Sequence, residues 1–127
     1  MNYFSLRRST GRRGELLARQ FLRRNGWRIV KKNLRIGRDE VDIIALSSSG
    51  NILAIVEVRS TANSAAHPLQ TVGHNKRRCM LRAARQLQSV ARRYQCKLRV
   101  DVIEVKIGDR PAKIVHHEGI LGTYACD

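Results

Sequence analysis

Residues 52–59 read Ile-Leu-Ala-Ile-Val-Glu-Val-Arg, and no other segment restricts the fold as strongly. Strand alternation places Leu53, Ile55, Glu57 and Arg59 on one face and Ile52, Ala54, Val56 and Val58 on the other. Both faces are mainly apolar, so the strand belongs in a sheet that other elements cover. Ile52 to Val56 is the longest uninterrupted apolar stretch in the body of the chain, far short of the roughly 20 residues of a membrane span. Residues 1–8 also lack the apolar core, about 7 to 15 residues long, of a secretory signal. The expectation is a cytoplasmic protein with no membrane contact. Glu57 interrupts an otherwise apolar surface, and a carboxylate in such a place needs a partner.

The neighbouring segment repeats the anomaly. Glu40 to Leu46 reads as a strand, Ser47-Ser48-Ser49-Gly50-Asn51 as a tight connection, and the two strands as a hairpin. Asp42 shares a face with Ile44 and Leu46, and the hairpin sets its carboxylate beside that of Glu57. Upstream, Leu17, Ala18, Phe21 and Leu22 recur at helical spacing over residues 12–25, with Asn25-Gly26 as the stop. Glu15 points along the edge of that apolar stripe. Residues 27–34 read as a strand, 35–39 as a turn around Gly37, and 60–69 as a loop. Residues 70–94 form a long helix with Met80, Ala83, Ala84, Leu87, Val90, Ala91 and Tyr94 on one face and arginines on the other. Met80 and Tyr94 read as core. Residues 98–106 and the short Ile114-Val115 segment complete the order α-β-β-β-α-β-β, an α/β fold with a mixed sheet flanked by helices. The 127 residues suffice for one domain, 1–127, with residues 1–10 as a basic N-terminal arm.

Charge narrows the partner. Net charge is +15, with +11 in residues 1–38 and +8 in residues 70–97, while 39–69 is acidic at −3. Nineteen of the 25 basic residues are arginine, whose planar fork holds phosphate oxygens in pairs. Arg12, Arg13, Arg77, Arg78, Arg82 and Arg85 are the candidate nucleic-acid contacts. Aromatic residues make up only 5% of the chain, which favours backbone-led recognition of duplex or branched DNA over base stacking. Two adjacent, partly desolvated carboxylates repel unless a cation joins them, and carboxylates select hard ions such as Mg²⁺ or Mn²⁺. Such an ion beside a phosphate-seeking surface is the arrangement for phosphodiester hydrolysis.

These residues carry a resemblance. Glu15 on a helix, Asp42 within Asp39-Glu40-Val41-Asp42, and Val56-Glu57-Val58-Arg59 resemble the PD-(D/E)xK pattern of restriction-endonuclease-like nucleases. More closely, Gly14-Glu15, Asn33-Leu34-Arg35, Glu40-Val41-Asp42, Val56-Glu57-Val58, Pro68, Lys76 and Val100-Asp101-Val102 in this order resemble the YraN-like family of small uncharacterised bacterial proteins, from about Gly11 to Val115. That family is similar to archaeal Holliday junction resolvases. The resemblance implies a restriction-endonuclease-like core and a metal-dependent endonuclease acting on structured or branched DNA. It also implies Mg²⁺ (or Mn²⁺) on Asp42, Glu57 and the Val58 carbonyl, Glu15 acting through a second metal or a bound water, and a homodimer.

Position 59 departs from the pattern, which expects lysine. Arg59 can orient and neutralise but cannot lose its proton. Three readings stand: Arg59 stabilises the developing phosphorane charge, Lys76 supplies the missing ammonium from the basic helix, or catalysis is lost. In the last case the chain is a non-catalytic DNA- or RNA-binding protein that keeps the nuclease fold. Asp101 reads as a salt-bridge partner for a nearby arginine. Cys79, Cys96 and Cys126 read as reduced thiols, and with the four histidines they show no zinc-ligand spacing.

Overall fold

A computed structural model describes residues 3–61, 72–108 and 110–124. The elements follow the order α1 (Tyr3–Arg24), β1 (Arg28–Ile36), β2 (Asp39–Leu46), β3 (Ile52–Thr61), α2 (His74–Arg93), β4 (Lys97–Lys106) and β5 (Lys113–Tyr124). The five strands form one sheet in the order β1-β2-β3-β4-β5. Every neighbouring pair is antiparallel except β3 and β4, which run parallel from Ile52↔Lys97 to Thr61↔Lys106. A parallel pair needs a crossover, and α2 provides it.

The two faces of β3 are covered as its alternation requires. On one side α1 brings Ala18 and Leu22 onto Ile43, Ala45, Ala54, Val56, Ile103 and Val105. On the other α2 brings Met80, Ala83, Ala84 and Ala91 onto Ile44, Leu53, Ile55, Leu98 and Val100. The small residues on α2 let its axis approach the sheet closely. Among the described residues no helix is long and apolar enough to cross a membrane.

Several boundaries differ from the sequence expectation. Helix α1 starts at Tyr3, not near residue 12. Helix α2 starts at His74, because Gly73 is extended (φ −63°, ψ 158°) and ends the preceding segment; residues 70 and 71 lie outside the described residues. Strand β3 continues through Thr61, where a loop was expected from residue 60, and the rest of that loop, 62–69, is outside the described residues. Strand β5 spans twelve residues in place of two. Its pattern is hidden because His116 and His117 take acidic partners on β4 where apolar residues would have marked the strand.

Met80 is core as expected, but Tyr94 is 68% exposed. Tyr94 is the residue just past the C-terminus of α2. There, with Val30, Leu34, Leu87 and Val90, it lines an apolar groove of about 580 Å³ beside the edge strand β1. Cys79 and Cys96 are buried thiols that form no disulfide, and Cys126 lies outside the described residues.

Gly14 sets the height of α1 above the sheet. A Cβ at this position would overlap the Ser60 hydroxyl on β3. Gly14→Ala is therefore expected to destabilise the protein by about 1–3 kcal/mol through overpacking. Denaturant unfolding should show the loss, and Ser60→Ala should restore part of it.

Candidate active site

The site begins where the β2–β3 ladder stops. The two strands pair from Leu46↔Leu53 to Ile43↔Val56. One step further, Asp42 lies level with Glu57, but the strands part, and the Val58 N–H donates to Asp42 Oδ2 at 2.8 Å. On the other flank, Lys32↔Ile43 and Leu34↔Val41 bracket Asn33 opposite Asp42. Asn33 adopts φ 52°, a left-handed conformation that asparagine tolerates better than most residues. Both neighbours of β2 thus bend at the level of Asp42.

Two further carboxylates approach Asp42. Glu57 reaches it from β3 and is itself buried, 5% exposed. Burial and the Asp42 charge together push the Glu57 carboxyl up to about 8, against the opposing pull of Lys76. Glu15 approaches from α1, and its carboxyl is also raised, by partial burial first and by Asp42 next. Lys76, in the first turn of α2, closes the group. Its Nζ lies 3.1 Å from Glu57 Oε2 and donates to the Glu40 carbonyl at 3.0 Å. Burial pulls the Lys76 ammonium down, but Glu57 and Asp42 outweigh it and leave it raised, so it stays charged. Among the described residues no group of three His, Cys, Asp or Glu side chains is placed to hold a metal ion together. A hard cation here would take Asp42 and Glu57, with backbone oxygen and water completing its shell, as Mg²⁺ commonly does.

The other sequence candidates divide. Val58 sits beside Asp42 through its N–H. Arg59 lies one alternation beyond Glu57 and is level in register with Glu104, a buried acid on β4 that Lys106 and His117 approach at 3.9 and 4.0 Å. Arg12, Arg13, Arg78 and Arg85 are exposed, and Arg77 is half-buried. Arg82 is engaged within the protein: Nε donates to Asp39 Oδ2 at 2.8 Å and Nη2 to Oδ1 at 2.9 Å. Arg12 and Arg13 immediately precede Gly14-Glu15, and Arg77 and Arg78 follow Lys76, so both basic segments adjoin the carboxylates. The sequence reading missed Asn33 as a conformational device and the Glu40 carbonyl as the second anchor of Lys76. Asn33 in a strand of otherwise apolar and basic residues was the available signal.

Asp101, fully buried, is a salt-bridge partner as the sequence indicated. It accepts both donors of the Arg99 fork at 2.8 and 2.9 Å, the Gly119 N–H at 2.8 Å, and pairs with His116 Nε2 at 2.7 Å. Burial would raise its carboxyl, but these hydrogen bonds win and hold it below the usual range. Trp27 covers the network, with the Arg99 guanidinium 5.5 Å from its ring centre.

The profile of the uncharacterised protein family UPF0102 matches residues 14–105, which contain Glu15, Asp42, Glu57 and Lys76. The chain belongs to this family. A UPF0102 protein of Chlorobium limicola is 36% identical over 98 residues, 76% of this chain and 74% of the relative. One from Syntrophotalea carbinolica is 36% identical over 114 residues, 89% and 91% of the two chains. One from Carboxydothermus hydrogenoformans is 31% identical over 116 residues, 91% and 97%. The YraN-like resemblance is thereby borne out. Among solved structures, Pyrococcus furiosus SfsA in complex with Ca²⁺ matches with a TM-score of 0.32 and 14% identity, over 87% of this chain and 63% of that one.

The raised Glu57 carboxyl gives a pH signature. The native state keeps a proton that the unfolded chain releases near 4.5, so this group's contribution makes native stability fall as pH rises from about 4.5 to about 8. Glu57→Gln has no proton to release. In EDTA, the variant's unfolding midpoint should gain on the wild type across that window and run parallel to it above.

Proposed function

We propose that this UPF0102 protein is a divalent-metal-dependent endonuclease that hydrolyses phosphodiester bonds in structured or branched DNA. The observation that carries the reading is the convergence of Glu15, Asp42 and Glu57 with the Lys76 ammonium 3.1 Å from Glu57, between two arginine-rich helical segments. Carboxylates crowded to this degree are suited to a hard cation, which takes the place of the proton on Glu57. Asp42 and Glu57, with the Val58 carbonyl, would hold Mg²⁺ or Mn²⁺. When bound, such an ion polarises a phosphate oxygen and lowers the pKa of a coordinated water.

The chain's own groups take the remaining roles. Lys76, held charged by two carboxylates and oriented by the Glu40 carbonyl, is an electrostatic donor for charge developing on the phosphate, not a proton acceptor. It thus supplies the ammonium that the pattern expects at position 59. Glu15, with its raised carboxyl and a place at the rim, is the group fitted to orient a water and take its proton. Arg59 stands level with Glu104 on β4 and adds positive charge beside that acid, which Lys106 and His117 also approach at 3.9 and 4.0 Å. Exposed arginines on α1 and α2 would bind the DNA backbone, with affinity that falls steeply with salt.

Calorimetric titration of Mn²⁺ and Mg²⁺, followed by incubation with labelled four-way junction, duplex and single-stranded DNA, tests the reading. Near pH 7 each ion bound should release close to one proton, visible as a dependence of the heat on buffer ionisation enthalpy. Asp42→Asn and Glu57→Gln should lose metal binding and cleavage while still binding DNA in EDTA. DNA binding by the wild type with no metal uptake would instead identify a non-catalytic binding protein.

Lys76→Gln separates the two basic candidates. It should lower kcat by about 10²- to 10³-fold, the range for removing one preorganised donor. Arg59→Lys should change kcat far less, and the reverse ranking would return the catalytic cation to position 59.

A further inference from the structure

One polar cleft lies beside the carboxylates without being part of them. Arg38, Asp39, Asn75, Arg78 and Arg82 line a space of about 340 Å³ between the β1–β2 hairpin and the first three turns of α2. Its charges do not balance. The single acid, Asp39, has both oxygens taken by the Arg82 fork at 2.8 and 2.9 Å. That bond, together with the charge of Arg38, holds the Asp39 carboxyl below its usual range. Arg38 and Arg78 then face the same cleft from the sheet side and the helix side, and the lining carries a net charge of +2.

The two walls are held in place. Arg38 occupies the second position of a two-residue turn closed by the Ile36↔Asp39 pair. Gly37 takes the first at φ 62°, the position that type II′ hairpins give to glycine. Arg78 stands one helical turn before Arg82, which the Asp39 clamp fixes to the hairpin. The Asp39–Arg82 pair therefore ties the helix to the turn and keeps the cleft from widening. Cationic forks on opposite walls and a side-chain amide from Asn75 suit a tetrahedral oxyanion, which takes paired N–H donors from arginine.

The location gives the anion a meaning. Asn75 immediately precedes Lys76, and Asp39 immediately precedes Glu40, whose carbonyl holds Lys76. The cleft is thus one residue along both elements from the group that contacts Glu57. We propose that it binds a backbone phosphate flanking the one cleaved, and so sets which phosphodiester of a bound strand reaches the carboxylates. This rests on the nuclease reading and adds a positioning subsite to it.

The test compares Arg38→Gln/Arg78→Gln with Arg92→Gln/Arg93→Gln, which removes the same charge from the exposed far end of α2, about 20 Å away along the helix. Anisotropy of labelled duplex and junction DNA in EDTA is followed across a salt series, with unfolding midpoints checking that both variants fold. The cleft variant should weaken binding at least tenfold more than the control and lower the slope of log K against log salt by about 2. With metal present, its KM should rise more than its kcat falls, and its cut positions should spread along the strand. Unchanged binding, or a loss matched by the control, overturns the subsite and leaves the nuclease reading standing. Selective loss of binding with no cleavage by the wild type overturns the nuclease reading and keeps the phosphate cleft. No DNA binding by the wild type overturns both.

Discussion

The hydrogen bond from the Val58 N–H to Asp42 Oδ2 replaces a ladder bond with a side-chain one. A carboxylate acceptor makes that bond stronger than an amide pair, about 1.5–3 kcal/mol net, enough to hold two strands apart where regular pairing would otherwise continue. The position of every other charged group in the site follows from this opening. It lets Asp42 stand between Glu57 on the α2 side and Glu15 on the α1 side, whereas an unbroken sheet would separate them by its own thickness. Asn33 bends β1 at the same level, and Gly14 lets α1 descend far enough for Glu15 to reach the gap.

Among the described residues the sheet has three buried acids, Glu57, Asp101 and Glu104, and the first two are treated in opposite ways. Asp101 receives hydrogen bonds on both oxygens from a guanidinium, an imidazole and a backbone amide, and is driven towards its charged form. It is internally satisfied and joins β4 to β5 beneath Trp27. Glu57 has one ammonium and a repelling neighbour, and is driven towards its neutral form. Such an arrangement does not stabilise the fold, and a strongly perturbed buried carboxylate marks a candidate functional site.

Much of this is legible in the sequence because β3 alternates strictly. The order of elements and the faces of Leu53, Ile55, Ala54 and Val56 follow from two-residue periodicity, as does the pairing of Asp42 with Glu57. Lys76 is legible as a residue pointing back to the sheet because the apolar face of α2 begins beside it. What is hidden depends on partners distant in sequence. Tyr94 carries the helical period of the buried face but stands one residue past the end of α2, where it lines a groove and stays exposed, so periodicity places it wrongly. The two histidines of β5 look like loop residues until Asp101 and Glu104 are seen opposite them. Arg82 looks like a free phosphate contact until the hairpin brings Asp39 to it, a pairing across 43 residues.

The parallel pairing of β3 with β4 also orders events in time. Asp42 and Glu57 lie on one local hairpin, which closes over a short loop, but Ile52 meets Lys97 only after the whole segment containing α2 has crossed over. Contacts of such sequence separation form late in folding. Asp42 and Glu57 thus belong to a locally closed hairpin, whereas Lys76 reaches Glu57 only through the long crossover that joins β3 to β4.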